Sequence, residues 1–171
     1  IMESVKIATE WAKEEIFSSV FFILFGLLFL LGTLGFWHWG KTEQARAFIY
    51  PTMVCGILLL TIGIGLVYAN QVRLEQFRST AKGEFSTFVQ TEQIRAERTI
   101  REYERVVFMI IPLLIAGLAL LMVFAKQPLW HAICISTITM MAVILLIDSN
   151  ASFRMKAYHQ KLLSVAERFE Q

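Results

Sequence analysis

Charge is scarce in this chain. Asp, Glu, Lys and Arg supply 18% of its 171 residues, while 56% are hydrophobic. Soluble domains carry about 25% charged residues, so an ordinary soluble domain is excluded. Cysteine is scarcer still. Cys55 and Cys134 stand alone, so neither a disulfide framework nor a zinc-binding spacing can be read; both read as small packing residues. Of the three histidines, His38 and His131 fall at one membrane boundary and His159 falls near the other end. A haem-bearing bundle would want histidines facing each other inside the helices. There is also no Gly-rich phosphate loop and no nucleophile elbow. "GTLG" and "TIGIG" sit inside apolar runs and carry no phosphate signal. No cofactor is expected.

What is present is apolar and blocked. No charged residue lies between Glu15 and Lys41, Arg46 and Arg73, Arg105 and Lys126, or Lys126 and Asp148. At about 1.5 Å rise per residue, each block can cross a hydrocarbon core of about 30 Å. The runs do not alternate as a membrane β-barrel would. The expectation is an all-α polytopic membrane protein: a four-helix bundle with four transmembrane helices near 16–37, 48–70, 106–124 and 129–147, plus cytoplasmic helical extensions. A cleaved signal peptide is not expected, because Glu3, Glu10, Glu14 and Glu15 precede the first run where a basic segment would be needed.

Basic residues set the orientation. Of the 16 lysines and arginines, all but Lys41, Arg46 and Lys126 fall on one side. Both termini and the central connection are therefore expected in the cytoplasm, with a bacterial inner membrane as the best fit. Trp37, Trp39, Tyr50 and Trp130 mark the outer boundary, as an interfacial aromatic belt would. The outer connections are too short for an extracellular ligand-binding domain. The organisation expected is an amphipathic helix at 1–15, a transmembrane hairpin at 16–70, a helical cytoplasmic connection at 71–105, a second hairpin at 106–148 and an amphipathic cytoplasmic helix at 149–171.

The cytoplasmic segments show helical periodicity. Ile1, Val5, Ala8 and Ala12 step by four, three, four; so do Tyr158, Leu162, Val165 and Phe169. Leu74, Phe77, Phe85 and Phe88 continue the pattern in the central connection, which is expected to turn between Ser79 and Ser86. Amphipathic faces need cover. Leu74, Phe77, Phe85, Phe88, Tyr158, Leu162, Val165 and Phe169 are thus candidates for a partner or oligomer interface, with packing on one another or lying in the lipid headgroup region as the alternative. Acidic and basic residues are interleaved, so the basic stripe of a nucleic-acid binder is missing.

Asp148 ends the fourth apolar run, and Asn150 follows it. Asp148, Asn150, Asn70, Arg73 and Arg154 form a candidate boundary cluster. Either Asp148 pairs with Arg73, Arg154 or a neighbouring chain, or a ring of Asp148 side chains lines a pore mouth. Asn70 and Asn150 hold matching positions after the second and fourth runs, a faint sign of duplication. Thr52, Gly56 and Gly63 make a small-residue stripe on the second helix, and Ala132, Ser136 and Thr139 make one on the fourth; such stripes let helices approach closely. Pro112 is expected to kink the third helix.

The leading reading is a non-enzymatic, self-associating membrane protein. Its cytoplasmic helices would bind a partner, soluble or membrane-bound, or couple membrane state to a cytoplasmic event, as in a sensor, scaffold or immunity-type subunit. An oligomeric ion channel with an Asp148 ring is the second reading. A membrane subunit or enzyme handling lipid, quinone or haem is the third.

Overall fold

The computed structural model describes the backbone of residues 2–80 and 85–170, and the side chains of 6–77 and 90–165. It is all-helical, with no strand among the described residues. Helix α1 spans Met2–Trp39, α2 Glu43–Ala47, α3 Ile49–Thr80, α4 Phe85–Glu102, α5 Ile111–Phe124 and α6 Pro128–Glu170. A π-helical segment, Tyr103–Ile110, joins α4 to α5. Four of the helical stretches are long and apolar enough to cross a membrane.

The breaks follow from local chemistry. Gly40 follows α1, donating its N–H to Phe36 O at 3.0 Å; a Cβ there would collide with that same carbonyl. Thr42 caps α2 by accepting from Ala45 N at 3.1 Å, as helix-start hydroxyls do. Ala125 turns to extended backbone after α5. Pro128, which needs no N–H partner at a first helical position, opens α6. Helix α3 ends at Thr80 and α4 begins at Phe85; the turn expected between Ser79 and Ser86 falls on residues 81–84, which lie outside the described residues.

Pro112 is accommodated by a change of helical register. Ile111 N–H donates to Val106 O, five residues back. The wider π turn precedes a residue that has no N–H and whose ring would crowd the carbonyl four residues back. It lies at the junction between the polar α4 and the apolar α5.

Helices α1 and α3 form the tightest pair. A Cβ at Gly26 would lie 2.9 Å from Leu60 N, and one at Gly63 would lie 2.9 Å from Ile23 N. Backbone therefore touches side chain and backbone where a larger residue would hold the helices apart. Thr33 and Thr52 bridge the same pair, Oγ1 to Oγ1 at 2.9 Å. Phe22, Cys55, Leu59, Met140 and Ile147 fill the core between α1, α3 and α6. Helix α5 leans on α6, with Leu113, Leu120 and Val123 facing outward.

A second core occupies the charged end of the bundle. Ala8, Trp11 and Ala12 of α1 meet Phe77 of α3, Ala96 of α4, and Met155, Tyr158 and Leu162 of α6. The amphipathic segments thus cover one another within one chain. None is a separate element at 15/16 or 148/149, since α1 and α6 run unbroken through those positions.

Candidate functional site

The two cores meet at a layer of charged and polar side chains, to which every long helical stretch contributes. Helix α1 supplies Trp11 and Glu15, one helical turn apart and so on one face. Arg154 of α6 crosses to Glu15, Nη2 to Oε2 at 3.1 Å, with 23% and 12% of the two side chains exposed. Arg73 of α3 donates from Nη1 to Asn70 Oδ1 at 3.2 Å, and Asn70 is 1% exposed.

At the charged end of the bundle, Glu92 of α4 is the hub. Arg95 donates to it from Nε at 3.1 Å. Tyr158 donates its hydroxyl proton to the same carboxylate at 2.9 Å. The Arg95 guanidinium lies 4.8 Å from the Trp11 ring centre, and Trp11 stacks on Tyr158 with centroids 5.1 Å apart. One carboxylate, one guanidinium and two aromatic rings therefore lock α1, α4 and α6 together.

A cleft of about 280 Å³ opens beside this layer, lined by Glu15, Ser19, Phe22, Leu66, Tyr103 and Asp148 among others. Two carboxylates and a phenol thus share one recess. Burial, then the charges of Glu15 and Asp148, pushes the Tyr103 phenol well above its usual range. Burial, then the Glu92 charge, does the same to Tyr158. Burial, then Arg95, makes Arg73 a weaker base than usual, although a guanidinium stays charged at any ordinary pH. Both phenols stay protonated, and Tyr158 is the one seen to donate.

Asp148 is placed among α1, α3 and the π segment of its own chain. Neither proposed cation is its ion-pair partner: Arg154 takes Glu15 and Arg73 takes Asn70. Asn150 points elsewhere; it is exposed and bonds its own helix, Nδ2 to Leu146 O at 3.2 Å. The two asparagines that hinted at duplication therefore do different work, one buried and one outward. Phe77, Tyr158, Leu162 and Val165 are buried, and Leu74 packs on the same core. The side chains of Phe85, Phe88 and Phe169 lie outside the described residues.

The packing stripes divide. Thr52, Gly56 and Gly63 are buried, as are Ala132 and Ser136. Thr139 is exposed, its hydroxyl returned to Ile135 O at 2.8 Å. Met140 takes the inward place, because a four-residue step from Ser136 keeps the face that a three-residue step leaves. Sequence reasoning passed over Glu15, Glu92, Arg95, Tyr103 and Gly26. The four-residue step from Trp11 to Glu15 and the three-residue step from Glu92 to Arg95 are the signals the sequence carries. No family model, curated protein or solved structure matches this chain.

Proposed function

We propose that this chain is a non-enzymatic membrane coupling protein of a bacterial inner membrane, with both termini in the cytoplasm. The positive-side charge bias supports that orientation. The bilayer portion and the cytoplasmic head are joined by helices that do not break at the boundary, and the Glu15–Arg154 layer fixes their relative position there. A tilt or shift of α1 against α6 in the membrane then moves the head. The unbroken course of α1 and α6 through this buried ionic layer carries the reading.

The amphipathic faces once available for docking are occupied within the chain, which favours coupling over partner capture by those faces. Any protein partner, or a second copy, would meet what remains outward at that end, where Ile94, Phe153 and Leu163 are among the large apolar side chains left exposed in the described residues.

Spin labels at Gln90→Cys and Gln160→Cys, in a chain carrying Cys55→Ala and Cys134→Ala, test the reading. Bilayers of different thickness impose different helix tilt. The distance between labels should shift with thickness, and the shift should differ in Glu15→Gln. Identical distance distributions in every bilayer would reject coupling. A cysteine at exposed Ser164 should react with an impermeant reagent only in opened cells, and labelling of intact cells would reject the orientation.

A further inference from the structure

A second recess flanks the α1–α6 seam. Ser18 and Ile147 wall both it and the carboxylate cleft, so the two recesses lie on either side of one contact. This one has a volume of about 360 Å³, and its apolar length is built by Phe17, Phe21, Phe25 and Leu146. From Glu14 to Phe25 the helix rises about 16 Å, close to half of a hydrocarbon core of about 30 Å. The groove is therefore one leaflet deep.

Its charged end continues into a smaller recess of about 80 Å³. The two share Glu14 and Arg154, and the smaller adds Glu10, Trp11 and Lys161, so two carboxylates and two cations line this end. Charges of both signs meet there. Two buried N–H groups at this end, Trp11 Nε1 and Arg154 Nε, have no acceptor among the described residues. Trp11 is only 4% exposed. A buried donor without an acceptor is costly, and most such groups in folded proteins have a partner. Both atoms have almost no open surface, so an anionic group reaches them only as the side chains over them part; carrying only acceptors, it would then satisfy both and face two cations, Arg154 and Lys161. A carboxylate beside it calls for a hydrogen-bonding cation on the same molecule.

We propose that this groove binds one cytoplasmic-leaflet phospholipid whose zwitterionic headgroup ends in a primary ammonium. Its phosphate sits against Arg154, Lys161 and the Trp11 N–H, its ammonium against Glu14, and one acyl chain lies along Phe17, Phe21 and Phe25. A trimethylated headgroup has no N–H to give Glu14. A glycerol headgroup offers that carboxylate neutral hydroxyls and no positive charge.

Native mass spectrometry of the full chain in mild detergent tests this, with equimolar synthetic palmitoyl-oleoyl phosphatidylethanolamine, phosphatidylcholine and phosphatidylglycerol. One phosphatidylethanolamine per chain should be retained in preference to either competitor by about fivefold, the size of one boundary ion pair. Lys161→Ala should cut its retention by a similar factor, while Glu14→Gln should bring it level with phosphatidylcholine. Equal retention of all three lipids, a preference for phosphatidylglycerol, or wild-type selectivity in both variants would overturn the proposal. Both substituted side chains are exposed and sit on different helices; if one variant loses its helical circular dichroism, the other decides. The label distances at positions 90 and 160 do not depend on this selectivity, so the two readings fail separately.

Discussion

Arg154 and Glu15 lie 139 residues apart in sequence, yet their side chains meet at 3.1 Å. They join the longest helix to the first one at the level where the apolar core ends. Both side chains are mostly buried, so removing either partner strands the other charge. An exposed pair is worth about 0.5 kcal/mol and breaking a buried one costs about 4 kcal/mol, so Glu15→Gln should cost about 2 kcal/mol. Denaturant unfolding in detergent, followed by helical circular dichroism, measures it. The charge-swapped double variant Glu15→Arg, Arg154→Glu should recover part of the loss, as coupled neighbours do. Equal losses in the single and double variants would show that the contact is incidental.

The glycines of the α1–α3 seam make a sharper contrast. A methyl group at Gly63 would press on Ile23 backbone and Phe22 Cβ, and one at Gly26 on Leu60 backbone. Forcing these helices apart should cost about 1–3 kcal/mol for each Gly→Ala change. Gly65 and Gly117 have open space where the new methyl would go, so alanine there should be neutral or stabilising by up to about 1 kcal/mol through helix propensity. Thermal melts of Gly63→Ala beside Gly65→Ala, neighbours in one helix, separate the two cases. Equal melting temperatures would refute the close approach.

How far the sequence discloses this molecule differs by level. The helices are legible, because a block of about 20 uncharged residues has few structural solutions. The periodicity of Ala8, Ala12, Leu74, Phe77, Tyr158 and Leu162 is legible too, and all lie in or against one core. What periodicity cannot say is which face meets which. It marks a face as needing cover, and the same mark suits a partner, a membrane surface or a sister helix. The polar layer is less legible again. Glu92 and Arg95 read as an ordinary surface pair at three-residue spacing until Tyr158 arrives from 66 residues away. Arg154 was legible as a charge seeking a partner, but three-dimensional packing chooses between Asp148 and Glu15, and it chooses Glu15. Gly26 looks like any glycine in an apolar run until α3 is laid against it.

The Thr33–Thr52 bridge should be a minor contributor despite its burial. Each hydroxyl also lies within reach of a carbonyl of its own helix, Thr33 of Phe29 at 3.0 Å and Thr52 of Phe48 at 2.7 Å; with one proton each, whichever hydroxyl donates across the bridge gives up its own carbonyl. Inter-helix hydrogen bonds in membranes average about 0.6 kcal/mol, because the separated helices find other partners. A double-mutant cycle with Thr33→Val and Thr52→Val should return a coupling near that value. A coupling several times larger would make the hydroxyl bridge, and not the glycine contacts, the main clamp of the α1–α3 pair.

The two buried phenols predict the alkaline behaviour of the charged end. Burial holds Tyr103 and Tyr158 protonated beyond their usual range, helped by Glu15 and Asp148 in the first case and by Glu92 in the second. The unfolded chain releases phenolic protons at about pH 10, whereas the folded one keeps them to higher pH. Below that point both states are protonated and the phenols add no pH dependence. Above it the unfolded state binds fewer protons, so stability falls as pH rises. The melting temperature should therefore drop more steeply between about pH 9.5 and 11 in the wild type than in Tyr103→Phe, Tyr158→Phe. Near-ultraviolet circular dichroism, sensitive to the Trp11–Tyr158 stack, should be lost over the same interval. If the slope is unchanged in the double phenylalanine variant, the tyrosines do not carry the effect, and the lysines at the same end become the groups to replace next.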